Sequence, residues 1–292
     1  MELIPSLYIA LFVICCITAF FVIKSFRKRH QQSSSNSFIC LYIPQSESIA
    51  FNPVEFIKAF QDKWGIKISC NQTDVQTALH DAYIISNHAH HIVFSINNQP
   101  LPQDFTKLLI NPIYALNQKE IVELENHKAN VTIQYQSGKS DPNERVLFTS
   151  QVLLTFFEQS NAIGCAIVAA QSYKTKDQLL VGNFLQKETL SLEDLFLLLV
   201  SIQQVDNEEN IWLHTHGLEQ FNLPNLEIIT QDRENIRYYE MVIGNVAIYM
   251  MENENIFKPG DTAELMGDGV IFSISYRTDN EFPTGIVTLS KE

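Results

Sequence analysis

The sequence predicts an α+β protein: ferredoxin-like or related antiparallel sheets with helices on one face, in two packed α+β halves, preceded by one transmembrane helix. Three observations carry that expectation. Period-two apolar runs alternate with helical ones, the polar stretch "SGKSDPN" divides the alternation into two similar halves, and residues 3–23 contain no charged side chain. With 292 residues the chain can build one large core or two modest ones.

The stretch "LIPSLYIALFVICCITAFFVI" (residues 3–23) would span about 31 Å as a helix, the thickness of a bilayer core. A cleaved signal peptide would place basic residues before the apolar run, whereas here Glu2 precedes it and Lys24, Arg27, Lys28 and Arg29 come after it. Positive charge on the C-terminal flank predicts a single-pass protein of the inner (plasma) membrane, anchored in the lipid bilayer through residues 3–23, with its C-terminal domain in the cytoplasm. Residues 24–37 read as that basic collar followed by a flexible polar linker.

Residues 38–136 form the first α+β half. "FICLYIP" (38–44) is a short strand-like run, and "NPVEFIKAFQDKWG" (52–65) is a helix opened by Asn52 and Pro53 and closed by Gly65. Strand-like alternation returns in "IKISC" (66–70) and "HHIVFSI" (90–96). Helical spacing covers 103–113 and 117–127, and "KANVTIQYQ" (128–136) alternates again. This βαββαβ-like order makes a ferredoxin-like sheet the economical expectation.

Residues 144–292 form the second half. An amphipathic helix is predicted over 145–160, a buried strand over 162–170, and a helix over 191–204 begun by Ser191 with Asp194 three positions on. A strand in "NIWLHTHGL" runs into a turn, followed by a strand at 226–230, a helix from about Glu234 to Met251, and strands at 270–276 and 285–289.

The formal net charge is −13. Setting aside the four basic residues and Glu2 of the N-terminal 30 leaves 16 basic against 32 acidic side chains, or −16, for residues 31–292. A domain so acidic repels phosphate backbones, which excludes nucleic acid as a partner. Outside residues 3–23 the cysteines are Cys40, Cys70 and Cys165, an odd, scattered set without a CxxC pair, as expected of small apolar side chains in a reducing compartment.

Chemistry concentrates in "IWLHTHGLEQFNLPNLEI" (211–228). On a strand, His214 and His216 share a face, and Glu227 could complete a His₂Glu zinc set. No HExxH accompanies them, however, and His216 precedes Gly217, where a turn would redirect its side chain. The preferred reading is a strand-ending turn at His216 and Gly217. "NHAHH" (87–91), with His80 nearby, offers a weaker pair in His88 and His90. No GxGxxG, P-loop or GxSxG motif occurs.

The run "THGLEQFNLPNLEI" resembles a signature of bacterial domain-of-unknown-function families, Thr-x-Gly-x-x-x-Phe-Gly-x-x-Glu-x-Glu, and "GDT" (260–262) is similar to another of their elements. "LPQDF" (101–105) and "ENHKANVTI" (125–133) resemble their N-terminal elements. The resemblance maps Thr215, Gly217, Phe221 and Glu227 onto the signature, with His216 at its unspecified second position, and these five residues are expected to form a binding or structural motif. Departures stand at Asn222 in place of glycine, Asn225 in place of the first glutamate and Asn130 in place of a histidine. It implies a fold and a bacterial source, and no reaction.

Two function classes are consistent with these features. The first, preferred, is a membrane-anchored, non-catalytic module that binds a protein partner and needs no cofactor. The second is a hydrolase in which His214, His216 and Glu227 hold Zn²⁺ and activate water.

Overall fold

A computed structural model describes residues 39–77, 80–110, 116–136, 140–253, 257–258, 260–277 and 285–291. Strands β1 (Cys40–Gln45), β2 (Ser69–Thr77), β3 (His80–Ser86), β4 (His91–Asn97), β5 (Ala129–Tyr135), β6 (Gly164–Ile167) and β7 (Ser172–Thr175) form an antiparallel seven-stranded sheet of order β2-β3-β4-β5-β1-β6-β7. The second sheet has six strands in the order β11-β12-β13-β10-β9-β8. These are β8 (Ser201–Asp206), β9 (Ile211–His216), β10 (Asn225–Thr230), β11 (Thr262–Glu264), β12 (Ile271–Arg277) and β13 (Ile286–Lys291). It is mixed, because β10 and β13 run parallel.

Alternation along β1 decides how the first sheet is covered. Ile39, Leu41 and Ile43 lie in the main core, against helices α1 (Pro53–Trp64) and α4 (Pro142–Glu158). Phe56 of α1 stands 6.0 Å from Phe94, and Phe60 stands 5.9 Å from Phe148 of α4. Tyr42, on the opposite face, packs with Ala166 and Tyr173 against Phe105 and Leu109 of α2 (Gln103–Leu109) and Leu124 of α3 (Gln118–Glu125). Helices thus cover both faces.

Local signals explain most helix ends. Asn52 accepts from the Val54 and Glu55 amides, and Gly65 closes α1 at φ 69°. A short helix α5 (Lys176–Val181) precedes α6 (Leu192–Leu199), whose Ser191 and Asp194 make the reciprocal capping box. α7 (Ile236–Asn253) buries Val242, Ile243, Val246 and Met250, which join Leu213, Leu226, Ile228, Phe272 and Leu289 of the second sheet in the main core.

The expected architecture is overturned in its sheets. The fold is α+β, but its sheets have seven and six strands, one of them mixed, with helices on both faces of the first. That is not a ferredoxin-like arrangement. Apolar periodicity identifies strands but not their neighbours: β1 pairs with β6 as well as β5, so residues beyond the polar stretch extend the first sheet. In addition, no helix among the described residues is long and apolar enough to cross a membrane. The span expected at 3–23 and the collar and linker at 24–37 lie outside the described residues.

Candidate functional site

The site lies where β9 meets β10. These strands pair antiparallel with Glu227 opposite His214. Trp212, His214 and His216 recur every second residue and therefore share one face of β9. The Trp212 and His214 rings stack at 4.1 Å and 21°, and His214 meets His216 edge to face at 4.6 Å.

Glu227 is 2% exposed. Its Oε2 accepts from Trp212 Nε1 at 2.9 Å and from Arg277 Nη2 at 2.9 Å, and its Oε1 accepts from Thr288 Oγ1 at 2.5 Å. One carboxylate thus ties together β9, β10, β12 and β13, and three donors compensate the cost of burying its charge. Burial pulls the His216 imidazole down to about 4, and the adjacent His214 acts in the same direction. Burial also lowers His214, against the raising effect of Glu227. Both rings are therefore neutral at neutral pH.

The predicted trio comes together in space, with Glu227 held by hydrogen bonds and the two histidines by ring contacts. Among the described residues, no group of three or more His, Cys, Asp or Glu side chains is placed to hold a metal ion.

Thr215 faces the opposite way and links the strands. Its Oγ1 donates to Asn225 Oδ1 at 3.1 Å and accepts from the Leu226 amide at 2.8 Å. Gly217, which follows His216, sits at φ 109° and leads into a 3₁₀ turn, Leu218–Phe221, that buries Phe221. Glu219 Oε2 accepts from the Gly217 amide at 2.9 Å and from Asn225 Nδ2 at 3.0 Å. Gln220 Nε2 donates to the Leu199 and Gly217 carbonyls. Buried Arg145 of α4 donates to Asn222 Oδ1 at 3.2 Å, anchoring the turn from the side of α4. Asn222 and Asn225, the two departures from the resembled signature, are both structural acceptors here.

Residues 200–278 match a family described as protein of unknown function (DUF4026), C-terminal. The match runs from β8 through β12 and contains the whole turn. No curated protein and no solved structure matches the chain. The resemblance to a family of unknown function therefore stands for that segment, while "LPQDF" and "ENHKANVTI" lie outside it.

Those two N-terminal elements nevertheless meet. The Leu101 amide donates to His127 Nε2 at 2.6 Å, and His127 Nδ1 lies 2.6 Å from the Leu124 carbonyl, so this buried ring is locked as a neutral linker whose pKa burial lowers. Asn130 Nδ2 donates to the Gln99 carbonyl at 2.8 Å. In "NHAHH" the histidines separate: His88 is exposed, while His90 is buried, bonded to Tyr135 Oη at 2.8 Å and stacked on Phe148. Cys40, Cys70 and Cys165 are free thiols, and burial pushes Cys40 and Cys70 up to about 11.

Sequence reasoning missed Trp212, Glu219, Gln220, Arg145, Thr288 and Arg277. The two-residue spacing of Trp212 from His214 was a signal that both share a face. Nothing local announces Thr288 or Arg277, which reach Glu227 only through the β10–β13–β12 pairing.

Proposed function

We propose that this chain is a protein-binding α+β module that takes up an extended segment of its partner along β8, braced by the Thr215–Glu227 turn. The Thr215–Glu227 run, which lies inside the segment matched by the family of unknown function, would be that family's signature. What supports it is the contrast among the four sheet edges. β2 carries a register irregularity between Gln72 and Gln76, β7 has four residues and β11 has three, all ways of blunting an edge. β8 has six residues, pairs with β9 in unbroken register and contains neither proline nor lysine.

The first half of β8 is tied sideways by Ser201 Oγ donating to the Ala170 carbonyl and Gln203 Nε2 donating to the Gln171 carbonyl. Its second half is exposed, with Val205 43% accessible. A row of main-chain donors and acceptors there can pair with an added strand, and a side chain such as Val205 adds specificity. Asp206, Glu208 and Glu209 lie at the adjoining hairpin, where, among the described residues, only Arg233 bridges to Asp206 at 2.6 Å, so a partner segment with a basic residue at that end is complementary.

The test is affinity capture by the full chain from its native cells. Val205→Lys and Gln204→Pro should each reduce capture of a discrete partner by about tenfold or more. Val54→Lys, on the exposed face of α1, should leave capture unchanged. Capture that ignores both β8 variants would overturn the reading.

A further inference from the structure

A cleft of about 470 Å³ opens between the chain leaving β1 and the end of α4. It is built from the first sheet and its helices, so its occupancy is independent of strand addition at β8. Gln45, the last residue of β1, is 1% exposed, and Ser160 lies just beyond α4. Both line the cleft. Gln45 Nε2 and Ser160 Oγ are buried and have no hydrogen-bond partner among the described residues. Native structures rarely leave such atoms unsatisfied, because each forfeits its hydration without compensation. The Gln45 main-chain carbonyl is occupied, accepting from the Lys128 amide at 2.8 Å, so the unmet capacity belongs to the side chain.

The other lining residues define what would meet these atoms. Ile49, Phe51 and Phe156 give the cleft an apolar wall. Glu47 and Glu55 line it with negative charge, and no Lys, Arg or His is among the lining residues. The first amides of α1, which open nearby, are already satisfied by Asn52 Oδ1, at 3.1 Å from the Val54 nitrogen and 3.4 Å from that of Glu55. That helix end therefore offers little to an anion, whereas the two carboxylates attract a cation.

We propose that this cleft binds a small organic ammonium compound bearing a carbonyl group and an apolar body. The carbonyl accepts from Gln45 Nε2, an N–H of the ligand donates to Ser160 Oγ, the ammonium lies toward Glu47 and Glu55, and the body packs on Phe51 and Phe156. The volume suits a ligand of this size, and the combination of an apolar wall with a few placed polar atoms is that of a small-molecule site.

Phenylalanine amide carries all three features and is the probe. Titrated calorimetrically into the full chain, it should bind saturably at a single site. Phenylpropionamide, which lacks the ammonium, should bind about tenfold more weakly, and phenylpropionate, an anion, should not bind. Gln45→Leu and Glu47→Gln should each weaken phenylalanine amide by about tenfold. Gln45→Leu should also raise the melting temperature of the unliganded protein by about 2–4 °C, because it removes an unsatisfied buried amide. Ser160→Ala, a smaller change, gives the same comparison should Gln45→Leu fail to fold. No saturable binding of phenylalanine amide, equal binding of the anion, or unchanged affinity in the folded variants would each overturn the proposal.

Discussion

Gly217→Val is expected to destabilise the protein by about 2–6 kcal/mol, combining roughly 1–3 kcal/mol of backbone strain with a similar overpacking cost. Gly217 sits at φ 109°, a conformation that β-branched residues avoid. Space is equally short. A Cβ there would lie 2.5 Å from the Leu199 carbonyl oxygen and 3.2 Å from both Val200 Cα and Gln220 Nε2. Leu199 and Val200 link α6 to β8, so relief of the clash would move the edge strand and break the Gln220 hydrogen bonds to Leu199 and Gly217. Gly65 provides the control. Its φ of 69° is also positive, but nothing lies within 4 Å of its added Cβ, so Gly65→Ala should cost only about 1 kcal/mol. Urea denaturation of both variants separates strain from clash, and a Gly217→Val variant no less stable than Gly65→Ala would refute the close-packed turn.

Acidification should destabilise the protein through His216. Its folded-state pKa is lowered from 6.5 to about 4. Above pH 6.5 the ring is neutral whether the chain is folded or not, and stability is complete. As pH falls from 6.5 toward 4 the unfolded chain takes up a proton that the folded chain refuses, and about 3 kcal/mol is lost by linkage. His214, facing it, is also lowered and adds to the loss, while Glu219, which burial raises, opposes it by favouring the protonated folded form. His90 and His127 are lowered as well, but contribute equally with or without His216. Urea midpoints recorded from pH 7.5 to 4.5 should therefore fall more steeply for the wild type than for His216→Gln. Parallel curves would show that His216 is not held neutral by burial.

The alternation of strand and helix was legible because each local device acts on its own neighbours. Asn52 and Gly65 bound α1, and Ser191 with Asp194 starts α6, as their spacing indicates. The predicted helix over 191–204 stops at Leu199, and residues 201–206 are β8. "LFLLLVSI" fits either period, and pairing with β9, a tertiary event, decides between them. β3, β7 and β11 escaped notice: β7 and β11 are too short to show a period, and "HDAYIIS" alternates poorly. Sheet order escaped for a deeper reason, since β1 offers the same alternation to β5 and to β6. At the site, the shared face of His214 and His216 could be read from spacing alone. The donors that occupy Glu227 come from Trp212, Thr288 and Arg277, and the last two are fixed by the topology of the whole second sheet.

The most direct test of the Thr215–Glu227 segment as a structural brace is thermal melting of the wild type, His214→Ala and His216→Ala, each with and without a metal chelator. Because Glu227 already accepts from Trp212, Arg277 and Thr288, the brace predicts that chelator leaves all three melting temperatures unchanged. A wild-type melting temperature that falls on chelation, with the fall absent in both histidine variants, would contradict it and establish His214 and His216 as ligands of a stabilising metal.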